Sequence, residues 1–425
     1  MAADSDIARA AEAVASGQGG RNPAVHLLSL SMTKVADGLI QPKLVLTWLL
    51  TALGAPGYLI GALVPVREAG ALLPQVALAG RIQASDRRRV YWSLGAFFQG
   101  VAAFAIAVAV LTLEGAAAGW AVLAALGCLA VARSACSVSY KDVLARTVET
   151  GLRGRLTGAA ATISAALVFA YAALLGLGVI PREPGVLAVA IAGAGLLWLV
   201  ASMLFLTLDE PRRPDGAPDE MSGLSLSEMV APLREDREFR HYIAVRALFI
   251  STALAPTFLV MLTGQGDGDT LGNLGTMMVA ASLAAILSGF VWGWLSDRSS
   301  RKVLILAGSI SAVALAAAAG WALVQDGPIG SVAAAGVIFV AQLGYEGVRA
   351  GRKLHLTDMD TGDRKVAYTA VSNTMIGVLL MAGGLFGLAA DLIGPALVLA
   401  MLAGLSALGA VAAVTLSEVQ RDADG

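Results

Sequence analysis

Gly289-Phe-Val-Trp-Gly293-Trp-Leu-Ser-Asp297-Arg298-Ser-Ser-Arg301-Lys302 separates two long apolar runs. The first run closes at Gly293. The chain then turns through an acid, two small residues and three basic residues, and the next run begins at Val303. Gly289 and Gly293 are four apart. On a helix they make a smooth stripe where a second helix can come close. The Asp-Arg and Arg-Lys pairs mark an exit from a bilayer on its cytoplasmic side.

Working outward, the chain has 425 residues, 57% of them hydrophobic and only 14% charged. A soluble domain carries about 25% charged residues. The composition excludes an ordinary soluble enzyme and points to an all-α, multi-pass membrane protein. The net charge of −1 gives no basic footprint for nucleic acid. Cys128 and Cys136 lie in one apolar run without metal or disulfide spacing, and His26, His241 and His355 are far apart. No cofactor or metal is expected. Residues 1–24 lack the apolar core of a signal peptide and read as a cytoplasmic tail.

Twelve apolar segments are expected, at roughly 25–51, 56–80, 90–112, 117–140, 155–178, 185–208, 241–263, 271–296, 302–324, 328–351, 366–390 and 394–416. Each is long enough for a hydrocarbon core of about 30 Å. Basic residues crowd alternate loops: Arg87, Arg88 and Arg89, then Lys141 and Arg146, then Arg212 and Arg213, then Arg301 and Lys302, then Arg364 and Lys365. The opposite loops hold Glu114, Glu183, Asp267, Asp326 and Asp391, with Arg182 as their one basic residue. The positive-inside rule then puts both termini in the cytoplasm.

Residues 209–240 divide the chain six plus six. They open on Asp-Glu-Pro-Arg-Arg-Pro, which no helix tolerates. Ser225-Leu-Ser-Glu228 then reads as the capping box of a short amphipathic helix. The expected domains are a 25–208 bundle, a 209–240 linker, a 241–416 bundle and a 417–425 tail.

The halves repeat. Glu149-Thr-Gly151-Leu-Arg153 matches Asp360-Thr-Gly362-Asp-Arg364 at an offset of 211. Gly80-Arg81 through Arg89 occupies the place of Gly293 through Lys302 at an offset of 213. Read as G-x-x-x-D-R-x-x-R-K, the opening stretch resembles the signature loop of the major facilitator superfamily, with Ser300 where a second glycine is usual. The resemblance implies two pseudo-symmetric six-helix bundles rocking about a midplane site. It also implies that the loop's acid, Asp297, latches the cytoplasmic face when the protein opens outward.

Charged side chains inside the segments carry the functional reading, since each costs about 2.5–3.5 kcal/mol at the bilayer centre. Lys34, Asp37 and Gln41 share one helical face, and Asp37 falls about 17 Å into its segment. Arg67 and Glu68 are central in the second segment and, being adjacent, point about 100° apart. Asp37–Arg67 and Lys34–Glu68 are natural cross-helix pairs, as is Lys34–Asp37 within one helix. Arg133 resembles the fourth-helix arginine that the superfamily uses in proton coupling, although its flanking sequence departs from the family pattern. Lys43 is expected to snorkel. Arg246, Glu346 and Arg349 are second-tier residues nearer the cytoplasmic ends. The seven tryptophans read as an interfacial belt.

Lys34, Lys43, Arg67, Arg133, Arg246 and Arg349 outnumber Asp37, Glu68 and Glu346 by three charges, which favours a small anionic solute. The resulting expectation is secondary active transport of such a solute by alternating access, coupled to protons, with no ATP-binding loop in the chain. Efflux of amphipathic compounds is one alternative. The other is a transporter-like protein that has turned to assembly or sensing. Heavy use of Ala, Gly and Arg suits a bacterial inner membrane.

Overall fold

The computed structural model describes residues 20–181, 183–211, 226–263, 272–296, 298–325, 330–359, 361 and 364–420. Arg182, Arg212, Arg213, Ser225, Asp267, Asp297, Asp326, Asp360, Gly362 and the tail before residue 20 lie outside them, and so do the expectations placed on those residues. The described residues are all-helical, without a strand.

The first half runs α1 (Asn22–Ile40), a π-helical turn (Pro42–Leu46), α2 (Thr47–Ala52), α3 (Gly57–Leu72), α4 (Pro74–Gln83), α5 (Arg88–Thr112), α6 (Gly115–Thr147), α7 (Thr150–Gly176) and α8 (Pro184–Phe205). The second runs α9 (Leu226–Glu235), α10 (Arg237–Leu248), α11 (Ile250–Thr263), α12 (Gly272–Ser296), α13 (Ser300–Gln325), α14 (Ser331–Asp358), α15 (Lys365–Gly383), α16 (Leu385–Ile393) and α17 (Pro395–Ala413). The short linker helix expected from the sequence is α9. Its neighbour α10 is capped by Asp236, whose carboxylate accepts the Phe239 N–H at 3.0 Å.

Nine stretches among the described residues are long and apolar enough to cross a membrane. Residues 22–52, 57–83 and 331–358 fall outside that class. They are broken or charged, and they carry Asp37, Lys43, Arg67, Glu68, Glu346 and Arg349. The first segment is not the single helix that the shared face of Lys34, Asp37 and Gln41 assumes. Pro42 lacks an N–H and locks its φ, so α1 stops at Ile40. The Pro42 carbonyl accepts both the Thr47 N–H and, at 2.9 Å, the Thr47 hydroxyl, so this irregular backbone is satisfied internally, as a membrane requires.

Phe98, Val101, Val108 and Leu111 of α5, with Val189 and Met203 of α8, stay exposed. So do Leu408 and Val411 of α17. An apolar surface of this extent needs acyl chains rather than water around it. The tryptophan belt is only partly realised. Trp120, Trp294 and Trp321 are exposed, but Trp48, Trp92, Trp198 and Trp292 are buried. Trp92 stacks on Phe205 at 3.8 Å, and the Trp292 ring N–H donates to the Leu343 carbonyl at 2.9 Å. Gly347 on the facing helix leaves room for the Trp292 ring.

The signature stretch packs differently from its sequence reading. Nothing lies within 4 Å of a Cβ built on Gly289 or Gly293. The close approach is made from the other side, by glycines of α14. A Cβ on Gly347 would sit 2.5 Å from the Trp292 ring, and one on Gly344 would sit 2.2 Å from the Ser311 hydroxyl. Trp292 precedes Gly293 by one residue, or about 100°. Turning that ring into α14 rotates Gly293 away; Gly289, three residues before Trp292, is set aside by the bulk of the ring rather than by its angle. Arg298 covers the Trp294 ring at 3.9 Å. Arg301 reaches Glu418 at 3.5 Å and the Leu416 carbonyl at 3.2 Å. The Lys302 N–H donates to the Ser299 hydroxyl at 3.1 Å. Ser300 uses what a glycine lacks: its hydroxyl meets His355 Nδ1 and Gln420 Oε1, each at 3.0 Å.

Candidate functional site

Two polar lobes lie between the halves, with volumes of about 360 and 470 Å³. They adjoin, since Glu68, Tyr345, Arg349 and Arg352 line both.

Asp37 organises the smaller lobe. Its Oδ1 accepts from Arg67 at 2.7 Å, and its Oδ2 accepts from Arg133. One carboxylate therefore ties α1, α3 and α6 together, with Arg67 itself buried. Of the pairs open to the sequence, only Asp37–Arg67 forms. Lys34 makes no ion pair with Asp37 or Glu68, is half-buried, and lines neither lobe. Arg133 supplies the second charge because α6 brings it to the face of Asp37 that Lys34 cannot reach. Gln41, at the end of α1, lines the same lobe.

Lys43 does not snorkel. The break at Pro42 turns it inward, and its Nζ lies 3.4 Å from the centroid of the Tyr345 ring, a cation–π contact between the halves. Glu346 accepts from Gln342 at 3.0 Å and from Arg349 at 3.3 Å. Glu68 has no hydrogen bond or ion pair among the described residues, although it borders both lobes.

Arg246 belongs to the larger lobe. It is buried, donates to the Ser372 hydroxyl, and reaches Asn373 Oδ1 at 3.4 Å. Exposed Lys141, Lys353 and Lys365 line the lobe where it runs toward the basic loops. Across both lobes nine cationic side chains face three carboxylates. The sequence puts Lys141 and Lys365 in basic loops, while Arg352 and Lys353 fall within α14. Their part in the cavity depends on how the helices splay.

The opposite end is sealed by contacts that the sequence did not single out. Asp391 accepts the Gly57 and Tyr58 N–H groups, both at 2.8 Å. The N-terminus of α3 thus meets an anion at the end of α16, a favourable charge–dipole arrangement. Next to it, a Cβ on Gly61 would lie 2.3 Å from Gly387 Cα. On the other flank, one on Gly275 would lie 2.2 Å from the Gly176 nitrogen. A lone acid in a short loop opposite a glycine-led helix was the available signal. Its partner is 334 residues away.

Neutralising Asp391 should loosen this seal. Asp391 is partly solvated, so the loss is about 1 kcal/mol, or about fivefold in the opening equilibrium. In Asp391→Asn, amide hydrogen exchange at Gly57 and Tyr58 should quicken by that factor. An unchanged rate would show that the carboxylate does not hold the seal.

The apolar exterior and the charged cavity among the helices define an integral, multi-pass membrane protein. The chain belongs to the Major Facilitator Superfamily, whose family model matches residues 27–351. Among solved structures, a point mutant of the nucleoside transporter NupG superposes with a TM-score of 0.70 at 13% identity, covering 92% of this chain and 99% of that one. A POT family transporter in complex with a thioalcohol-conjugated peptide gives 0.68 at 11% identity, covering 91% and 94%. A D-xylose–proton symporter gives 0.63 at 14%, covering 93% and 96%. At these identities the likeness is one of fold. No curated protein matches the sequence.

Proposed function

We propose that the chain moves a small organic anion across a bacterial inner membrane by alternating access, coupled to protons. The observation that carries this reading is the surplus of six positive charges lining the cavity between the halves. A field of that sign concentrates anions. In this reading all twelve rods cross the bilayer, residues 25–208 and 241–416 are the two rocking bundles, and 209–240 is their cytoplasmic tether. The basic loops face the cytoplasm, so the conformation described is inward-open. The similar order of rods in the two halves, with α5 beginning at Arg88 and α13 at Ser300, supports the paired-bundle arrangement.

Glu68 is the proton carrier in this scheme. Asp37 has both oxygens engaged by guanidinium groups, so protonating it would break two charge-assisted bonds. Glu68 breaks none. Anion and proton enter a common field, and each offsets the charge that the other brings.

Purified protein in proteoliposomes with an imposed pH gradient tests both parts. Solutes that raise the unfolding midpoint of the purified protein should accumulate with the gradient. Glu68→Gln should lose gradient-driven accumulation while keeping exchange of labelled for unlabelled solute. Persistence of pH-driven uptake in Glu68→Gln would remove Glu68 from coupling.

A further inference from the structure

The geometry points to Arg246 as the anchor of an oxyanion subsite in the larger lobe, taking the carboxylate or phosphate head of a solute whose apolar body lies along α11 and α15. The inference rests on the anion-transport reading and names the part of the cavity that recognises the anion.

The guanidinium groups of the two lobes are not equivalent. Arg67 and Arg133 share the single carboxylate of Asp37, and Arg349 is paired with Glu346. Arg246 has no carboxylate within 4.0 Å among the described residues, although it is only 9% exposed. Its Nη1 donates to the Ser372 hydroxyl, its Nη2 makes a long contact to Asn373, and its Nε is buried without a partner. A buried cation held by neutral groups alone is costly, because they do not replace the water it has lost. Ser372 and Asn373 orient the guanidinium without cancelling its charge. Arg352, in the same lobe, is also without an ion pair among the described residues. Its carbonyl is fixed by the Tyr242 hydroxyl at 2.7 Å, one turn before Arg246 on α10. Two guanidinium groups on one lobe, neither with a carboxylate within 4.0 Å among the described residues, are suited to the forked geometry of a carboxylate or phosphate.

The rest of the lobe describes the body of the solute. Ile250, Ala253, Ile376 and Leu380 line it beside these cations. A sugar-like solute would leave its hydroxyls unpaired against them. An organic anion with one charged end and a hydrocarbon or ring body satisfies both walls.

The test is thermal unfolding of the full-length protein in detergent, titrated with hexanoate, phenyl phosphate or inorganic phosphate against potassium chloride of matched ionic strength. An organic anion should raise the wild-type midpoint above the chloride control. Arg246→Gln should require about tenfold more anion or above, with a ligand-free midpoint equal to or higher than that of the wild type, since an uncompensated cation has been removed. Arg246→Lys, which keeps the charge and loses the fork, should fall between. Hexanoate against phenyl phosphate distinguishes a carboxylate head from a phosphate head, and inorganic phosphate reports the head without the body. An equal response in wild type and Arg246→Gln would overturn the subsite and leave anion transport standing. So would a lower ligand-free midpoint in Arg246→Gln, which would mark the residue as structural. If no anion raises the wild-type midpoint beyond chloride, subsite and anion reading fall together.

Discussion

Asp37→Asn should lower thermal stability as well as transport, and the loss of stability is the more informative result. From the sequence alone, Asp37 reads as a proton or substrate site whose neutralisation spares the fold. Its surroundings change that expectation. Arg67 and Arg133 converge on it from two other helices, and its side chain is 24% exposed. Asparagine presents one carbonyl oxygen where two charged oxygens stood, so two guanidinium groups are left competing for it. Removing one partner from a buried ion pair costs on the order of 3–5 kcal/mol. The solvent that still reaches Arg133, 38% exposed, pulls the expectation toward the lower end. The measurement is the unfolding midpoint of purified Asp37→Asn, Arg67→Gln and the double variant. The double variant should be less destabilised than the two single losses combined, because it removes both halves of the pair. Additive losses would mean that Asp37 and Arg67 do not act on each other. A normal midpoint with abolished uptake would return Asp37 to the transport chemistry.

The second large effect is conformational. Gly61→Ala and Gly275→Ala should each drive the protein away from the sealed state. Their Cβ atoms would meet backbone atoms of Gly387 and Gly176 at 2.3 and 2.2 Å, distances at which the helices themselves must part. Overpacking of this kind costs about 1–3 kcal/mol. The cost falls only on the conformation in which those helices touch, so it shifts the equilibrium by roughly 5- to 150-fold. A single cysteine placed at Ala253, on the cavity wall, in a chain lacking Cys128 and Cys136, reports the change. A membrane-impermeant maleimide added on the side of Asp391 should label it faster in either glycine variant. Gly193→Ala serves as the control, since nothing lies within 4 Å of its Cβ position. Equal labelling in all three would mean that these contacts do not form the gate.

How far the site could be read in advance differs from residue to residue. Asp37, Arg67 and Glu68 stand out as charges in apolar surroundings, because a bilayer penalises charge wherever the partners lie. Lys43 and Arg246 stand out for the same reason, but their destinations do not. Lys43 is turned inward by a break one residue earlier. Arg246 is held by side chains 126 and 127 residues downstream. Asp391 has no such mark, since an acid in a short loop is ordinary until a helix N-terminus is placed against it.

The sequence by itself determined that the chain spans a membrane, that its loops alternate in charge, and which family it resembles. These are properties of local windows, because the bilayer and the positive-inside rule act on each segment separately. The tertiary structure alone decided which charges cancel and which do not. Asp37 is shared by arginines 30 and 96 residues away, whereas Arg246 meets only neutral partners among the described residues. Neutralisation depends on distances of a few ångströms between helices, and no spacing along the chain encodes them.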